Sequence, residues 1–229
     1  MRRRPPTPTP VPFSPAAARA HRAGLGLTPD QVAEGMAAHG VRLLSSHVLG
    51  WEAGEIRPTE EEFIALSRAL WCQPASLMGT RPASLRDFRV ARELSADQAA
   101  RRIGVSLQVY EQAEATGRWT GDEDQTYALA HGLGIGLRDL VRVTDRQAEL
   151  DGVLKRAVEG RWQAQLTPLA RLVPAPADAL SAALAALQNE YLVPTHWGSA
   201  TPAADRTPRT PHAERFWELL AAEESDIPV

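Results

Sequence analysis

The chain of 229 residues has almost no cysteine and almost no lysine. Cys72 is the only cysteine, which excludes an intrachain disulfide and any zinc site that needs paired cysteines. We expect it to be a buried core thiol, because an unpaired cysteine most often behaves as a small apolar side chain. Lys155 is the only lysine, so any basic surface must be built from arginine.

Long apolar runs are missing as well. No apolar stretch reaches the length of about 18 residues that a bilayer span needs, and no apolar signal segment follows the opening Met1-Arg2-Arg3-Arg4. These absences predict a cytoplasmic protein without membrane contact. An excess of positive charge is also lacking: the net charge is −3, so binding to nucleic acid would require a local basic face.

Patterns typical of catalysis and of metal binding are absent from the sequence. Apart from His47, the histidines lie far apart, without the spacing of metal ligands, at His21, His39, His131, His196 and His212. No nucleophile elbow, phosphate loop or dinucleotide fingerprint occurs, and the glycine-rich run 132–136 matches none of these motifs. We therefore predict that the protein is not an enzyme and has no cofactor or metal.

The first fifteen residues are rich in proline. Residues 1–15 include Pro5, Pro6, Pro8, Pro10, Pro12 and Pro15, which exclude a helix and predict an extended or disordered arm. The arginines at its start, Arg2, Arg3 and Arg4, either reach a phosphate or a minor groove or belong to a solvated tail. The sequence leaves both alternatives open.

A helical pattern begins near residue 28. Thr28 followed by Pro29 predicts a helix N-terminus, because the hydroxyl can accept a hydrogen bond from an unsatisfied backbone N–H and proline has none to lose. The apolar stripe of this helix consists of Val32, Ala33 and Met36. A second short helix is predicted from Ser45 to Gly54, where a glycine suits a left-handed C-terminal cap.

This stretch resembles the Cro/Xre-type helix-turn-helix DNA-binding family. The resemblance rests on an N-cap pair, a first-helix alanine and two later runs, namely Leu27-Thr28, Ala33, Trp51-Glu52-Ala53-Gly54 and Arg57-Pro58. The closing helices of the family match Phe63, Leu66, Leu70 and 74–77. The resemblance implies an all-α, lambda-repressor-like module of five helices over about 16–79, with Glu52 in a structural role beside an arginine.

The next part of the chain repeats this pattern. The run 94–106 has Ser95 as N-cap and a short Gly104-Val105-Ser106 turn, and Glu114 matches Glu52. At a constant offset of 63, the residues that match Leu66, Leu70 and Leu77 are Leu129, Leu133 and Leu140. The repeat predicts a second five-helix module over 84–143. Its turn is five residues shorter, since 28–52 spans 24 positions and 95–114 spans 19.

In this family the second helix of the motif presents side chains to base edges in the major groove. The resemblance implies that the base-reading residues of the first module are Ser45, Ser46, His47 and Gly50, although His47 is alternatively a merely exposed histidine. In the second module it implies Leu107, Gln108, Val109 and Gln112. Gln108 and Gln112 share one helix face, and a glutamine amide matches the N6/N7 edge of adenine.

Arginines near both motifs are the predicted phosphate contacts. Arg42 and Arg57 flank the second helix of the first motif. In the second module the candidates are Arg86, Arg89, Arg92, Arg101 and Arg102. Residues 81–146 hold ten arginines against ten acidic residues, so a solvated surface of mixed charge is the alternative.

After residue 145 the pattern changes to amphipathic helices and loops. We expect helices at 148–157, 177–192 and 213–223, a loop over 194–211, and either a strand or a helix at 165–173. A homodimer surface, or alternatively an ordinary core, is predicted from the stripes Leu180, Leu184, Leu187, Tyr191, Phe216, Trp217 and Leu220. Trp162, Trp197 and Trp217 suit either a core or a small-molecule pocket.

Together these features predict a sequence-specific transcriptional regulator that binds double-stranded DNA with two tandem modules. Residues 145–229 would serve association or sensing. A protein-interaction adaptor is the first alternative, because the charge is acidic, Leu44 replaces a polar N-cap and Glu111 lies on the second recognition helix. The second alternative is a sensor of a small-molecule or protein effector that the sequence does not identify.

Overall fold

The computed structural model describes residues 10–191 and 211–223. Over these residues the secondary structure is entirely helical, with fourteen α-helices, one short 3-10 turn and no strand. The predicted all-α class is confirmed. None of the helices in the described ranges is long and apolar enough to cross a membrane.

Ten helices cover the two predicted modules. The first five are α1 (Pro15–Gly24), α2 (Pro29–Ala38), α3 (Ser45–Ala53), α4 (Glu60–Ala69) and α5 (Pro74–Met78). The next five are α6 (Leu85–Ala91), α7 (Ala96–Ile103), α8 (Leu107–Thr116), α9 (Glu123–Leu133) and α10 (Leu137–Val143).

The C-terminal region continues the helical architecture. Its elements are α11 (Gln147–Glu159), a 3-10 turn (Trp162–Gln165), α12 (Leu166–Ala170), α13 (Ala177–Tyr191) and α14 (His212–Glu223). The three predicted helices of this region are confirmed. The segment 165–173, for which strand and helix were both open, is helical up to Ala170.

Local capping interactions determine several of these boundaries. The Thr28 hydroxyl accepts a hydrogen bond from the Gln31 backbone N–H at 3.2 Å, and the Gln31 side chain accepts one from the Thr28 backbone N–H at 2.8 Å. Gly54 ends α3 in the left-handed region with φ of 75°, and Gly40 turns the chain after α2 with φ of 90°. The predicted cap at Thr28 and the predicted left-handed glycine at the end of α3 are confirmed.

The described residues form two compact units. The first unit contains residues 10–101 and 106–116, and the second contains 102–105, 117–191 and 211–223. The predicted second module, 84–143, is therefore divided between them. Helices α6 and α8 and most of α7 belong to the first unit, whereas α9 and α10 belong to the second.

The core of the first unit begins before α1. Val11 and Phe13 are buried, and the ring of Phe13 packs edge-on against Phe63 with centroids 6.2 Å apart. Residues 10–14 are non-helical, as predicted, and Ser14 is extended, but Val11 and Phe13 are buried, so the disordered alternative is wrong for this part of the arm. Pro15, which was included in the arm, already begins α1. The three arginines at positions 2–4 lie outside the described residues. Cys72, expected to be a buried core thiol, is only half-buried beside this core.

The second unit has its own apolar core. The side chains predicted as a dimer surface are buried in it, namely Leu180, Leu184, Leu187, Phe216, Trp217 and Leu220, with Tyr191 packed against them. The amphipathic stripes are thus covered by helices of the same chain, so of the two alternatives the ordinary core is confirmed for these side chains, which do not form a homodimer surface. Trp162 also packs against this core, whereas Trp197 and most of the predicted loop lie outside the described residues.

Candidate nucleic-acid interface

The first turn of α3 presents polar side chains to solvent. Ser46 and His47 are exposed and Ser45 is half-buried, while Val48 and Trp51 lie on the opposite side in the core. Leu44 occupies the N-cap position and gives no side-chain hydrogen bond to the helix. Two of the predicted base-reading side chains of the first module are therefore fully accessible, and a third is partly so.

Gly50 does not belong to this accessible face. It is buried, and the nearest side-chain atom of Ile56 lies 3.0 Å from the place where a Cβ of residue 50 would be. A covered glycine offers a base neither a donor nor an apolar group, so its prediction as a base-reading residue is wrong. Position 50 instead allows Ile56 to fold back over the end of α3.

Helix α8 presents the predicted reading residues of the second module together. Gln108 and Gln112 are exposed, and Leu107 and Val109 have exposed fractions of 39% and 40%. The Ser106 hydroxyl caps the helix by accepting a hydrogen bond from the Val109 N–H at 3.3 Å. The four predicted side chains are therefore all accessible on one capped helix.

The predicted phosphate contacts differ in their accessibility. Arg42, Arg57, Arg92, Arg101 and Arg102 are exposed. Arg101 is paired with Asp97 one turn earlier on α7, an exposed ion pair that contributes little to stability and remains free to exchange partners. Arg102 belongs to the second unit. Five of the seven arginines are thus placed where an anion can reach them.

Arg89 is the clear exception. Its side chain is only 3% exposed and forms ion pairs with Glu114 on α8 and with Glu60 at the start of α4. Arg86, half-buried, pairs with the same Glu60 at 3.0 Å. Arg89 is wrong as a phosphate contact, because a phosphate would have to displace two carboxylates from a buried site. Arginine recurs at every third position in Arg86, Arg89 and Arg92, a spacing that indicates an exposed basic face, but Arg89 is buried.

Each half of the repeat contains the same buried arginine–glutamate pair. Arg22 on α1 binds Glu52 on α3, with Nε 2.6 Å from Oε1, and its Nη1 donates to the Leu27 carbonyl at 2.9 Å. Arg89 binds Glu114 at the same 2.6 Å, and its Nη1 donates to the Leu94 carbonyl at 2.8 Å. Each pair ties the second helix of a motif to the helix before the motif, so Glu52 and Glu114 are structural.

Arg22 was missed at the level of sequence, although a signal for it exists. It lies 67 positions before Arg89, the offset that also separates Thr28 from Ser95. Aligning the repeat over its N-caps would therefore have superimposed the two arginines. That alignment would have predicted an arginine partner for Glu52 and for Glu114.

Tyr110 lies buried beside the second pair. Its hydroxyl is completely covered and finds no hydrogen-bond partner of ordinary geometry among the described residues. Burial, followed by the charge of Glu114, raises the pKa of its phenol. The hydroxyl is therefore neutral at all physiological pH values.

Replacing Tyr110 by phenylalanine is expected to leave the stability of the first unit unchanged or to raise it by about 1 kcal/mol. The variant keeps the aromatic ring and removes an unsatisfied buried polar group. Amide hydrogen exchange in urea, followed at α6 and α8, compares it with Tyr127→Phe, a change at an exposed tyrosine of the second unit that should have almost no effect on these amides. A clear loss of stability in Tyr110→Phe alone would mean that the hydroxyl has a partner in solution.

The second unit contains a small surface cavity of about 290 Å³. Its lining includes Arg138 and Arg142, which pair with Glu214 and Asp139, and the edge of Trp217. The charges of its walls are thus largely compensated by one another. Among the residues described, no cluster of histidine, cysteine and acidic side chains is arranged to hold a metal ion.

Comparison with known proteins found no matching family model, no similar curated protein and no similar solved structure. The helix-turn-helix interpretation therefore depends on the motif residues and on the geometry of this chain.

Proposed function

We propose that the first unit is a sequence-specific double-stranded-DNA-binding element of a transcriptional regulator, with α3 and α8 as recognition helices of two tandem helix-turn-helix modules. The observation that carries this proposal is the exposed face of α8, where Gln108 and Gln112 lie four residues apart. Behind that face, the Arg89–Glu114 pair holds α8 as the Arg22–Glu52 pair holds α3.

The chemistry of the α8 face suits a major groove. A glutamine amide can donate to adenine N7 and accept from adenine N6, so two glutamines on one face can read two adenines. The apolar side chains of Leu107 and Val109, each about two-fifths exposed, suit contact with thymine methyl groups. This face therefore favours A·T-containing sequences.

The other contacts position the helices on the duplex. Arg42, Arg57 and Arg101 are exposed and can neutralise phosphates, which releases counterions and makes the affinity dependent on salt. On α3, Ser46 and His47 can form hydrogen bonds with several bases and thus discriminate weakly. Most of the sequence preference is expected to come from α8.

Selection from fragmented genomic DNA by the purified full chain tests this proposal. We expect an enriched sequence whose affinity falls steeply with salt. Gln108→Ala with Gln112→Ala should weaken binding to that sequence about a hundredfold, since each bidentate contact contributes about 1–3 kcal/mol. The control is Gln73→Ala with Gln147→Ala, two exposed glutamines away from α8. Absence of enrichment and of binding at low salt would refute the proposal.

A protein-interaction adaptor is the second candidate, because apolar side chains surround α3. Leu44, Leu49 and Ile56 have exposed fractions of 70%, 52% and 45%. Exposed aliphatic groups contribute little to contact with phosphates but much to contact with a protein. If this candidate is correct, Leu49→Ser will reduce binding to a protein partner, and the Gln108 and Gln112 substitutions will have no effect on DNA retention.

A further inference from the structure

Arg89 contacts two other helices and one loop of the first unit at once. Its side chain leaves α6 and reaches Glu60 on α4, Glu114 on α8 and the Leu94 carbonyl before α7. All five N–H donors of the guanidinium are used: Nε donates to Glu114, Nη1 to Glu60 and Leu94, and Nη2 to Glu60 and Glu114. A planar group with every donor engaged holds its partners in one arrangement.

The contact with Glu60 distinguishes Arg89 from Arg22. Both arginines bind the glutamate and the backbone carbonyl of their own half of the repeat. Arg89 additionally binds a carboxylate that belongs to the first half, and its side chain is 3% exposed where that of Arg22 is 18% exposed. Only the contacts with the glutamate and the carbonyl are common to both halves of the repeat. Glu60 is an added link between the two halves.

The charges of the link reinforce one another. Burial acts to raise the pKa of Glu60, but the hydrogen bonds and charges of Arg89 and Arg86 outweigh it, so the pKa is lowered. Glu60 is therefore ionised at neutral pH. Arg86 and Arg89 approach it from the same helix, one turn apart, so two guanidinium groups hold one carboxylate.

The link completes a continuous path between the two candidate recognition helices. Helix α3 packs on α2, α2 packs on α4, and α6 packs on α8. Glu60 and Arg89 join α4 to α6, the step in this path that is made by ion pairs. Packing of α5 on α4 and on α6 also contributes to this step. The ion pairs add a directional contact to that packing, so the orientation of α8 relative to α3 depends in part on them.

We propose that Arg89 is a positioning residue that, through Glu60, locks α8 in a fixed orientation relative to α3. The two helices then form one rigid platform rather than two modules on a flexible connection. The consequence for DNA rests on the proposed function: a rigid platform requires one fixed spacing between the sequence contacted by α3 and that contacted by α8. The lock itself is a property of the protein without DNA.

The distance between α3 and α8 in solution tests the lock directly. Cys72→Ala removes the only native thiol, and cysteines introduced at the exposed positions Ala53 and Ala115 carry spin labels on the two helices. Pulsed electron resonance should give a narrow distance distribution. Glu60→Gln should broaden or shift it, because the neutral amide keeps the size of the side chain but loses the ion pairs. Glu61→Gln, at an exposed neighbour on α4, should leave it unchanged.

The spacing of the DNA contacts tests the consequence. Inserting about five base pairs, half a helical turn, between the two parts of the selected sequence should abolish simultaneous contact by the parent chain. Glu60→Gln should tolerate the insertion better. A broad distribution in the parent, or one that Glu60→Gln does not change, overturns the lock whatever happens with DNA. Failure to select any sequence overturns the proposed function alone, and tolerance of the insertion by the parent overturns the fixed spacing.

Discussion

Replacing Arg89 by methionine is expected to lower the free energy of unfolding of the first unit by about 3 kcal/mol. The substitution leaves two carboxylates without their main partner in a site where the Glu114 side chain is only 12% exposed. In the folded state an unpaired buried charge has lost most of its hydration, and no opposite charge compensates for that loss. Glu60, with a quarter of its side chain exposed, recovers some water and reduces the loss.

Amide hydrogen exchange in urea is the suitable measurement, because two units need not unfold together and a single transition would mix them. Amides of α6 and α8 should lose protection, with smaller changes in α13 and α14.

The control is Arg101→Met, where the ion pair with Asp97 is exposed and its removal should lower the free energy of unfolding by less than about 1 kcal/mol. Adding Glu60→Gln and Glu114→Gln to Arg89→Met should restore part of the stability. Equal losses in Arg89→Met and Arg101→Met would contradict the buried ion-pair network.

The sequence was sufficient for features that depend on neighbouring residues. The interaction that begins α2 lies within four consecutive residues, among Thr28, Pro29 and Gln31. Gly54 ends α3 because a residue without a side chain readily adopts the left-handed conformation. Apolar stripes likewise identified α11, α13 and α14, because helical periodicity is a local property. The approximate bounds of α3, α11, α13 and α14 follow from such patterns, whereas the five helices expected in each module were implied by the resemblance.

Whether a side chain is buried depends on residues far along the chain, and the predictions of exposure made from local sequence were wrong at such positions. Arg89 has the spacing of an exposed basic face, yet its partners lie 25 and 29 positions away in Glu114 and Glu60. Gly50 matched a reading position by alignment, but the fold of Ile56 over it was not encoded in any local pattern. The stripes of α13 and α14 would be identical whether they met each other or a second chain.

The proline-rich composition before α1 likewise gave no sign that Val11 and Phe13 are buried. The prolines around Val11 and Phe13 correctly exclude a helix, but a proline-rich backbone can still place alternate side chains in a core. Phe13 packs against Phe63, fifty positions later in the sequence. Only a signal from long-range contacts would have revealed it.

Replacing Trp51 by alanine is expected to lower the free energy of unfolding of the first unit by about 3–5 kcal/mol. The side chain is 1% exposed and is among the largest in the core, where α3 packs on α1 and α2. Its removal leaves a cavity that the three helices cannot close without moving α3. The matched position of the repeat, Ala113, is buried with a small side chain, so the volume at this site differs between the halves.

Trp71 offers a matched comparison within the same unit. Its side chain is 88% exposed, so Trp71→Ala removes the same atoms without opening a cavity and should change the stability by less than about 0.5 kcal/mol. Hydrogen exchange of α1 to α4 amides in urea distinguishes the two variants. In Trp51→Ala, exchange should accelerate throughout these helices, whereas affinity for any selected DNA should fall only in proportion to the unfolded fraction. A larger fall in affinity, at temperatures where the variant is fully folded, would assign α3 more than the weak share of base reading proposed above, since Trp51 packs behind the turn that presents Ser46 and His47.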